Sequence, residues 1–322
     1  MYGVPCAVCK APLQHSLKKD LKGNLMAISS KLLRMQLAFF KPFVNGCTIE
    51  TARIGQAKLG DLMANSFKSK VLYSPKIFRN FLGEWVAPKS QKSDCVILYL
   101  HGGGYVAGDI DYAKGFGTTL AAKNGVKVFC AAYRLAPEYR YPAALEDAVT
   151  AYEYLLESGY ENSQIFLCGE SAGGGLIYAL TLKLKDAGRE LPAGIIAISP
   201  WTDLTGSGAS YEQNRECDPS MTRERLQYYA ELYADDYRDP YVSPLFGALD
   251  NMPPSLIFVG GDEVMLDDAV EMHRRLQAAG SRSELVVTPE MWHGYILYGV
   301  SEAKKDHEKI AAFLKETQNG RT

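Results

Sequence analysis

From about residue 94 onward the chain alternates short apolar runs with longer amphipathic ones, and this alternation restricts the possible fold more than any other feature. The runs at 95–100, 126–131, 165–168, 194–199, 256–259 and 284–287 are apolar and rich in β-branched residues. Such runs suit strands buried on both faces. Between them, segments near 113–124, 142–158, 172–187, 265–279 and 300–316 have helical periodicity. In one of these Asp147, Val149, Tyr152, Leu155 and Leu156 fit an amphipathic helix with Pro142 near its start. Repeated strand–helix–strand order predicts an α/β fold with a mostly parallel, doubly wound sheet. Residues 70–74 and 79–86 read as further strands feeding its edge.

Two stretches break the rhythm. Residues 1–66 are mostly helical by pattern, from Leu25, Met26, Ala27 and Ile28 through Leu32, Leu33, Met35 and Leu37. Residues 204–245 are rich in tyrosine, with Tyr211, Tyr228, Tyr229, Tyr233, Tyr237 and Tyr241. An insertion of roughly 40 residues between adjacent strands is too long for a plain loop. The expected organisation is a core formed by residues 67–203 and 246–322. Residues 1–66 and 204–245 join as a helical cap over the C-terminal edge of the sheet. Internal repeats and low-complexity tracts are lacking.

Composition excludes several functions. With 322 residues, 47% hydrophobic and 22% charged, the chain is an ordinary globular protein with a sizeable core. A net charge of −2 gives no sign of a nucleic-acid or anionic-membrane partner. No apolar run reaches the roughly 20 residues that span a bilayer, and the N-terminus lacks the order of a signal peptide, so the expected location is cytoplasmic. Of the seven cysteines, Cys6 and Cys9 form a lone C-x-x-C without a second pair or nearby histidines. They read as reduced thiols rather than a zinc or redox site. Cys95, Cys130 and Cys168 lie in apolar runs and read as core residues.

The chemistry enters at Gly169-Glu170-Ser171-Ala172-Gly173, which follows the run Gln164-Ile165-Phe166-Leu167-Cys168 and precedes a helix-like segment. G-x-S-x-G at a strand-to-helix junction predicts a sharp turn that lifts the serine oxygen out of the sheet, beside helix N-terminal N–H groups. That is the setting of a serine nucleophile.

A serine nucleophile needs a base, an orienting acid and an oxyanion site. Only five histidines are present. His15 lies near the terminus, His273 and His307 fall on amphipathic helices and read as solvated, and His101 opens a glycine run. His293 remains, in the loop after the last strand run, at the strand end where open α/β sheets place their sites. The acid should follow the preceding strand, and Asp262 is the first carboxylate there. Glu263 is adjacent and competes for the role, whereas Asp267 and Asp268 read as carboxylates at a helix N-terminus. The order Ser171, Asp262, His293 is the order of an α/β-hydrolase triad. His101-Gly102-Gly103-Gly104-Tyr105 follows the first strand run, and its glycines leave backbone N–H groups open to a ligand. No G-x-x-x-x-G-K-[ST] pattern accompanies it, so acyl-transfer chemistry is preferred to phosphate binding. The expected oxyanion donors are the N–H groups of Gly103, Gly104 and Ala172.

With these residues the chain resembles the hormone-sensitive-lipase-like family of α/β-hydrolases, esterases with an H-G-G-G motif. Tyr133–Glu138, Pro142–Asp147, Ser199–Leu204 and Ser243–Leu245 are also similar to family stretches. The resemblance implies an α/β-hydrolase fold with a helical cap. It implies a carboxylic ester hydrolase for short acyl chains, without metal or organic cofactor, and a structural role for His101 in the glycine loop. Glu170 departs from the family's usual Asp or Thr, and Asp262-Glu263-Val264 from its usual D-P-L, which keeps Glu263 open as the acid. An amidase or deacetylase would share the machinery. A non-catalytic binding protein of the same fold, as in the plant gibberellin receptors, is a further alternative.

The substrate is expected to be a small ester, with Tyr105, Trp201, Tyr211, Phe39 and Phe40 as candidate pocket residues. The strand near 284–287 is a candidate sheet edge and so a candidate homodimer contact.

Overall fold

In a computed structural model of the chain, residues 29–320 are described. Cys6, Cys9, His15 and residues 25–28 lie outside them. The predicted alternation folds into one eight-stranded sheet. Its spatial order is β1 (Val71–Ile77), β2 (Leu82–Pro88), β4 (Lys127–Ala132), β3 (Val96–Leu100), β5 (Ile165–Glu170), β6 (Gly194–Ile198), β7 (Ser255–Gly260) and β8 (Ser283–Thr288). β2 pairs antiparallel with β1 and β4, and every other pairing is parallel. β3, β5, β6 and β7 are buried along their whole length, as apolar runs without polar alternation require. β1 and β8 form the two edges and are largely exposed or half-buried.

The core follows from the strand period of two. On β3, Val96, Leu98 and Leu100 point into one layer, Ile97 and Tyr99 into the other. The first layer is covered by α4 (Ala143–Glu157), α5 (Ala172–Asp186) and α8 (Leu266–Ala278). The second is covered by α3 (Ile110–Asn124) and α9 (Ala303–Asn319). His307, expected to be solvated, is buried under α3 instead, its ring 6.2 Å from that of Phe116. The reason is helical phase: His307 shares its side of α9 with Ile310 and Leu314. Burial pushes its pKa down to about 3.

The N-terminal helices α1 (Ser30–Gly46) and α2 (Ile49–Asn65) and the insertion helices α6 (Ser210–Gln213) and α7 (Arg223–Tyr233) are tied to one another. Lys41 Nζ donates to the carbonyls of Arg215 and Asp218 at 2.8 and 2.7 Å. Asn45 donates to Ser220 O at 3.0 Å, and Arg225 to Cys47 O at 2.9 Å. α7 starts where the Thr222 hydroxyl accepts the Arg225 N–H at 3.2 Å, an N-cap. Among the described residues no helix is long and apolar enough to cross a membrane.

The glycines of G-x-S-x-G set how closely α5 enters the sheet. A Cβ on Gly173 would fall onto the Leu100 carbonyl of β3, and one on Gly169 onto the backbone of Gly173. No flexible side-chain tip is involved, so only backbone movement relieves the clash. Gly173→Ala should lower stability by about 1–3 kcal/mol, read as a lower urea midpoint at unchanged slope. An unchanged midpoint would show that this close approach is not required.

Candidate active site

Ser171 occupies the turn between β5 and α5 with φ 55° and ψ −123°. A non-glycine residue held there carries roughly 1–3 kcal/mol of strain and persists only where its surroundings hold it. Its N–H donates to the Ile198 carbonyl at 3.0 Å, and its own carbonyl accepts the Trp201 and Gly175 N–H groups at 2.9 and 3.1 Å. The next residue, Ser199, has a hydroxyl that accepts the Gly294 N–H at 3.0 Å. The turn of Ser171 and the loop of His293 therefore hang on consecutive residues at the end of β6.

The carboxylate on His293 is Glu263, not the expected Asp262. Nδ1 of His293 lies 3.0 Å from Glu263 Oε2. The other oxygen, Oε1, accepts the Ser199 hydroxyl at 2.6 Å and the Gly260 N–H at 2.5 Å. Glu263 is fully buried, so these donors replace the water it has lost. Asp262 points the other way and pairs with Arg34 of α1 at 2.7 Å. The physical reason is the Gly260-Gly261 turn. Gly261 N–H is bonded to Thr288 O and Asp262 N–H to Met291 O, which leaves the second carboxylate, not the first, facing β6 and the histidine. The same Arg34 donates to the carbonyls of Glu290 and Cys217 at 2.8 and 2.6 Å. One guanidinium thus fastens α1 to the loop of Asp262 and Glu263, the loop before His293 and the insertion. Asp218, also in the insertion, is buried and accepts the Val264 N–H at 3.0 Å, which braces the residue after Glu263.

The His101–Gly104 loop follows β3, beside β5. Gly103 and Gly104 have φ of 114° and 64°, values that favour glycine. His101 is buried, stacks on Tyr133 at 4.3 Å, and has Nδ1 2.7 Å from Gly102 O. Burial lowers its pKa to about 4, so near neutral pH it is an uncharged part of the loop. Glu170, whose role the sequence leaves without an account, holds this loop from below. Its carboxylate accepts the Gly102 N–H at 2.6 Å and the Tyr99 hydroxyl at 2.5 Å. Burial pushes its pKa up to about 7, against the hydrogen bonds from Tyr99, Gly102 and Tyr112.

The candidate pocket residues divide. Tyr105, Trp201 and Tyr211 are buried. Tyr105 stacks on Tyr233 at 3.8 Å, with Trp201 at 6.2 Å. Phe39 does not join them, and this corrects the expectation: it is 79% exposed on the outer side of α1, whereas Phe40, seven residues on from the buried Leu33, lies on the inward side at 40% exposure. Leu33 and Leu37 face inward, and Phe39, two residues beyond Leu37, is about 200° further round the helix. Tyr229 of α7 was missed. A Cβ on Gly104 would strike its ring, and Arg225 packs 4.6 Å from the ring centroid. Ser199, Arg34 and Asp218 were also missed, because their partners are distant in sequence. Among the described residues no group of three or more His, Cys, Asp or Glu could hold a metal ion.

Comparison with known proteins shows the family of the chain. The family of alpha/beta hydrolase fold proteins matches residues 97–297. An acetyl-hydrolase of Streptomyces hygroscopicus is 39% identical over 236 residues, 72% of this chain and 79% of that protein. An esterase of Acinetobacter venetianus is 34% identical over 223 residues, 68% of this chain and 74% of that one. A solved hormone-sensitive lipase from a metagenome library superposes with a TM-score of 0.84 at 30% identity, covering 91% of this chain and 99% of its own. The chain belongs to the α/β-hydrolase family, among its hormone-sensitive-lipase-like members.

The environment of His293 makes a titration testable. Burial acts against its charged form, but the hydrogen bond and charge of Glu263 outweigh that, and the pKa is raised above the ordinary 6.5. In an NMR titration the His293 imidazole should titrate above that value. In Glu263→Gln, where burial dominates, it should move to lower pH. A wild-type midpoint at or below the ordinary value would contradict the pairing.

Proposed function

We propose that this protein is a serine esterase that hydrolyses short-chain carboxylic esters through an acyl-enzyme on Ser171. The observation that carries the proposal is the buried Glu263–His293 pair, fastened to the same end of β6 as the strained Ser171 turn. His293 takes the Ser171 proton as the hydroxyl attacks the ester carbonyl. The tetrahedral oxyanion is received by N–H groups of Gly103, Gly104 and Ala172. His293 then protonates the leaving alcohol. Water, activated by the same imidazole, releases the acid. Glu263 holds the tautomer and stabilises the transient imidazolium. Glu170, through the Gly102 N–H, keeps the glycine loop in place without touching the substrate. The relatives' names, acetyl-hydrolase and esterase, favour this reading over an amidase. The close aromatic packing of Tyr105, Trp201 and Tyr229 at the loop favours small acyl groups.

Because His293 must be neutral to act as base and its pKa is raised, kcat/KM should fall on the acid side with a midpoint above the ordinary histidine value. On p-nitrophenyl acetate and butyrate, Ser171→Ala and Glu263→Gln should each lose about 10⁴-fold or more in kcat. Asp262→Asn should stay within about tenfold, since it touches α1 rather than the imidazole. Loss in Asp262→Asn with retention in Glu263→Gln would reverse the assignment. A matched amide series hydrolysed faster than the esters would replace the esterase reading.

A further inference from the structure

Arg225 of α7 is the one buried arginine among the described residues, at 7% exposure, and none of their carboxylates pairs with it. Nη1 donates to the Cys47 carbonyl at 2.9 Å, Nη2 has only a 3.8 Å contact with Cys47 Sγ, and the buried Nε has no partner. Carboxylates of the insertion are engaged elsewhere: Glu224 with Arg215 at 3.2 Å, and Asp218 with the N–H groups of Ser220, Met221 and Val264. Aromatic faces stand in for a counter-ion, with the guanidinium carbon 4.6 Å from the Tyr229 ring centroid and 5.6 Å from that of Tyr228. Such faces attract a cation but bring no negative charge. A buried cation held this way lacks the partner that normally offsets its lost hydration.

The unpaired edge, Nε with Nη2, is the one this fold uses elsewhere to hold carboxylates. Arg274 grips Glu271 through both nitrogens at 2.7 Å, and Arg134 grips Asp147 through them at 2.9 and 2.8 Å. The position is beside the glycine loop. Arg225, Tyr229 and Tyr233 recur every four residues and form one buried row of α7. Tyr233 stacks on Tyr105 at 3.8 Å, and a Cβ on Gly104 would strike the Tyr229 ring. One tyrosine ring therefore packs against both the guanidinium and the loop proposed to receive the oxyanion.

We propose that Arg225 sets the substrate class by receiving a carboxylate carried on the alcohol portion of the ester. A carboxylate fits the planar fork with two parallel hydrogen bonds, and it brings the counter-charge that the chain itself does not provide. The aromatic packing that favours small acyl groups leaves the alcohol portion to carry the charge. The substrates favoured are thus short-chain acyl esters of hydroxy acids. Arg225 touches none of the reacting atoms; it binds and orients. The inference rests on the esterase reading, since it names the substrate of that same site, but binding involves no turnover and is measured apart from it.

The test is titration calorimetry on Ser171→Ala, which holds an ester without cleaving it. The probes are γ-acetoxybutyrate and ε-acetoxycaproate, each against the methyl ketone in which an uncharged acetyl group replaces the carboxylate. At least one acid should bind about tenfold or more tightly than its ketone. Adding Arg225→Gln should abolish the difference. Adding Arg225→Lys, which keeps the charge but not the fork, should retain only part of it, and this variant decides where the Gln variant fails to fold. Three results would each overturn the proposal: equal binding of acid and ketone at both lengths, no binding of any probe, or an undiminished difference in the variants. A parallel loss of acid and ketone in Arg225→Gln would also overturn it, leaving Arg225 as a tie between the halves of the cap. Hydrolysis of p-nitrophenyl acetate by the wild type reports on the esterase reading separately.

Discussion

The Glu263 carboxylate is the group on which the site depends. It is an acid taken wholly out of water, and such a charge is tolerated only where donors replace its hydration. Three groups from three parts of the sheet surround it: the Ser199 hydroxyl after β6, the Gly260 N–H at the end of β7, and the His293 imidazole after β8. Satisfying this one carboxylate fixes the imidazole in place. Ser199 has a second duty, since its oxygen also receives the Gly294 N–H. The residue before it, Ile198, holds Ser171 by its backbone. The strained Ser171 turn, the His293 loop and Glu263 are therefore all tied to the end of β6.

A second buried acid performs the corresponding task for the glycine loop. Glu170 lies immediately before Ser171 in sequence and reaches across to β3, bonding Tyr99 and the Gly102 N–H. The Ser171 turn and the loop proposed to receive the oxyanion are thereby linked through one side chain. The two acids differ in surroundings: a hydrogen-bonded imidazole faces Glu263, whereas tyrosine hydroxyls and a backbone amide face Glu170. The cap side is fastened differently, by Arg34, whose guanidinium joins α1 to Asp262 and to the carbonyls of Glu290 and Cys217.

Much of the sheet was legible in the sequence because buried parallel strands advertise themselves as uninterrupted apolar runs; the runs at 165–168 and 256–259 fall inside β5 and β7. The sharp turn at Ser171 was legible because a glycine-flanked serine between a strand run and a helix run marks a strand-to-helix junction. The carboxylate that faces His293 was not, because Asp262 and Glu263 are adjacent and only the path of the chain past Gly260-Gly261 decides between them. The outward placement of Phe39 was equally hidden. α1 is apolar on both sides, so its phase is set by partners such as Asp262 and Asp218 that lie far along the chain. Glu170 needed Tyr99 and Gly102, about seventy residues upstream, before its role could be seen.

The central claim is that Ser171 owes its reactivity to His293 held by Glu263. Reaction with diethyl p-nitrophenyl phosphate, followed by peptide mass mapping over time, tests it without reference to any natural substrate. The wild type should acquire one diethyl phosphoryl adduct, on Ser171, and Glu263→Gln should acquire it about 10³-fold more slowly or worse. Adduct formation on another residue, or labelling of Glu263→Gln at the wild-type rate, would contradict the claim.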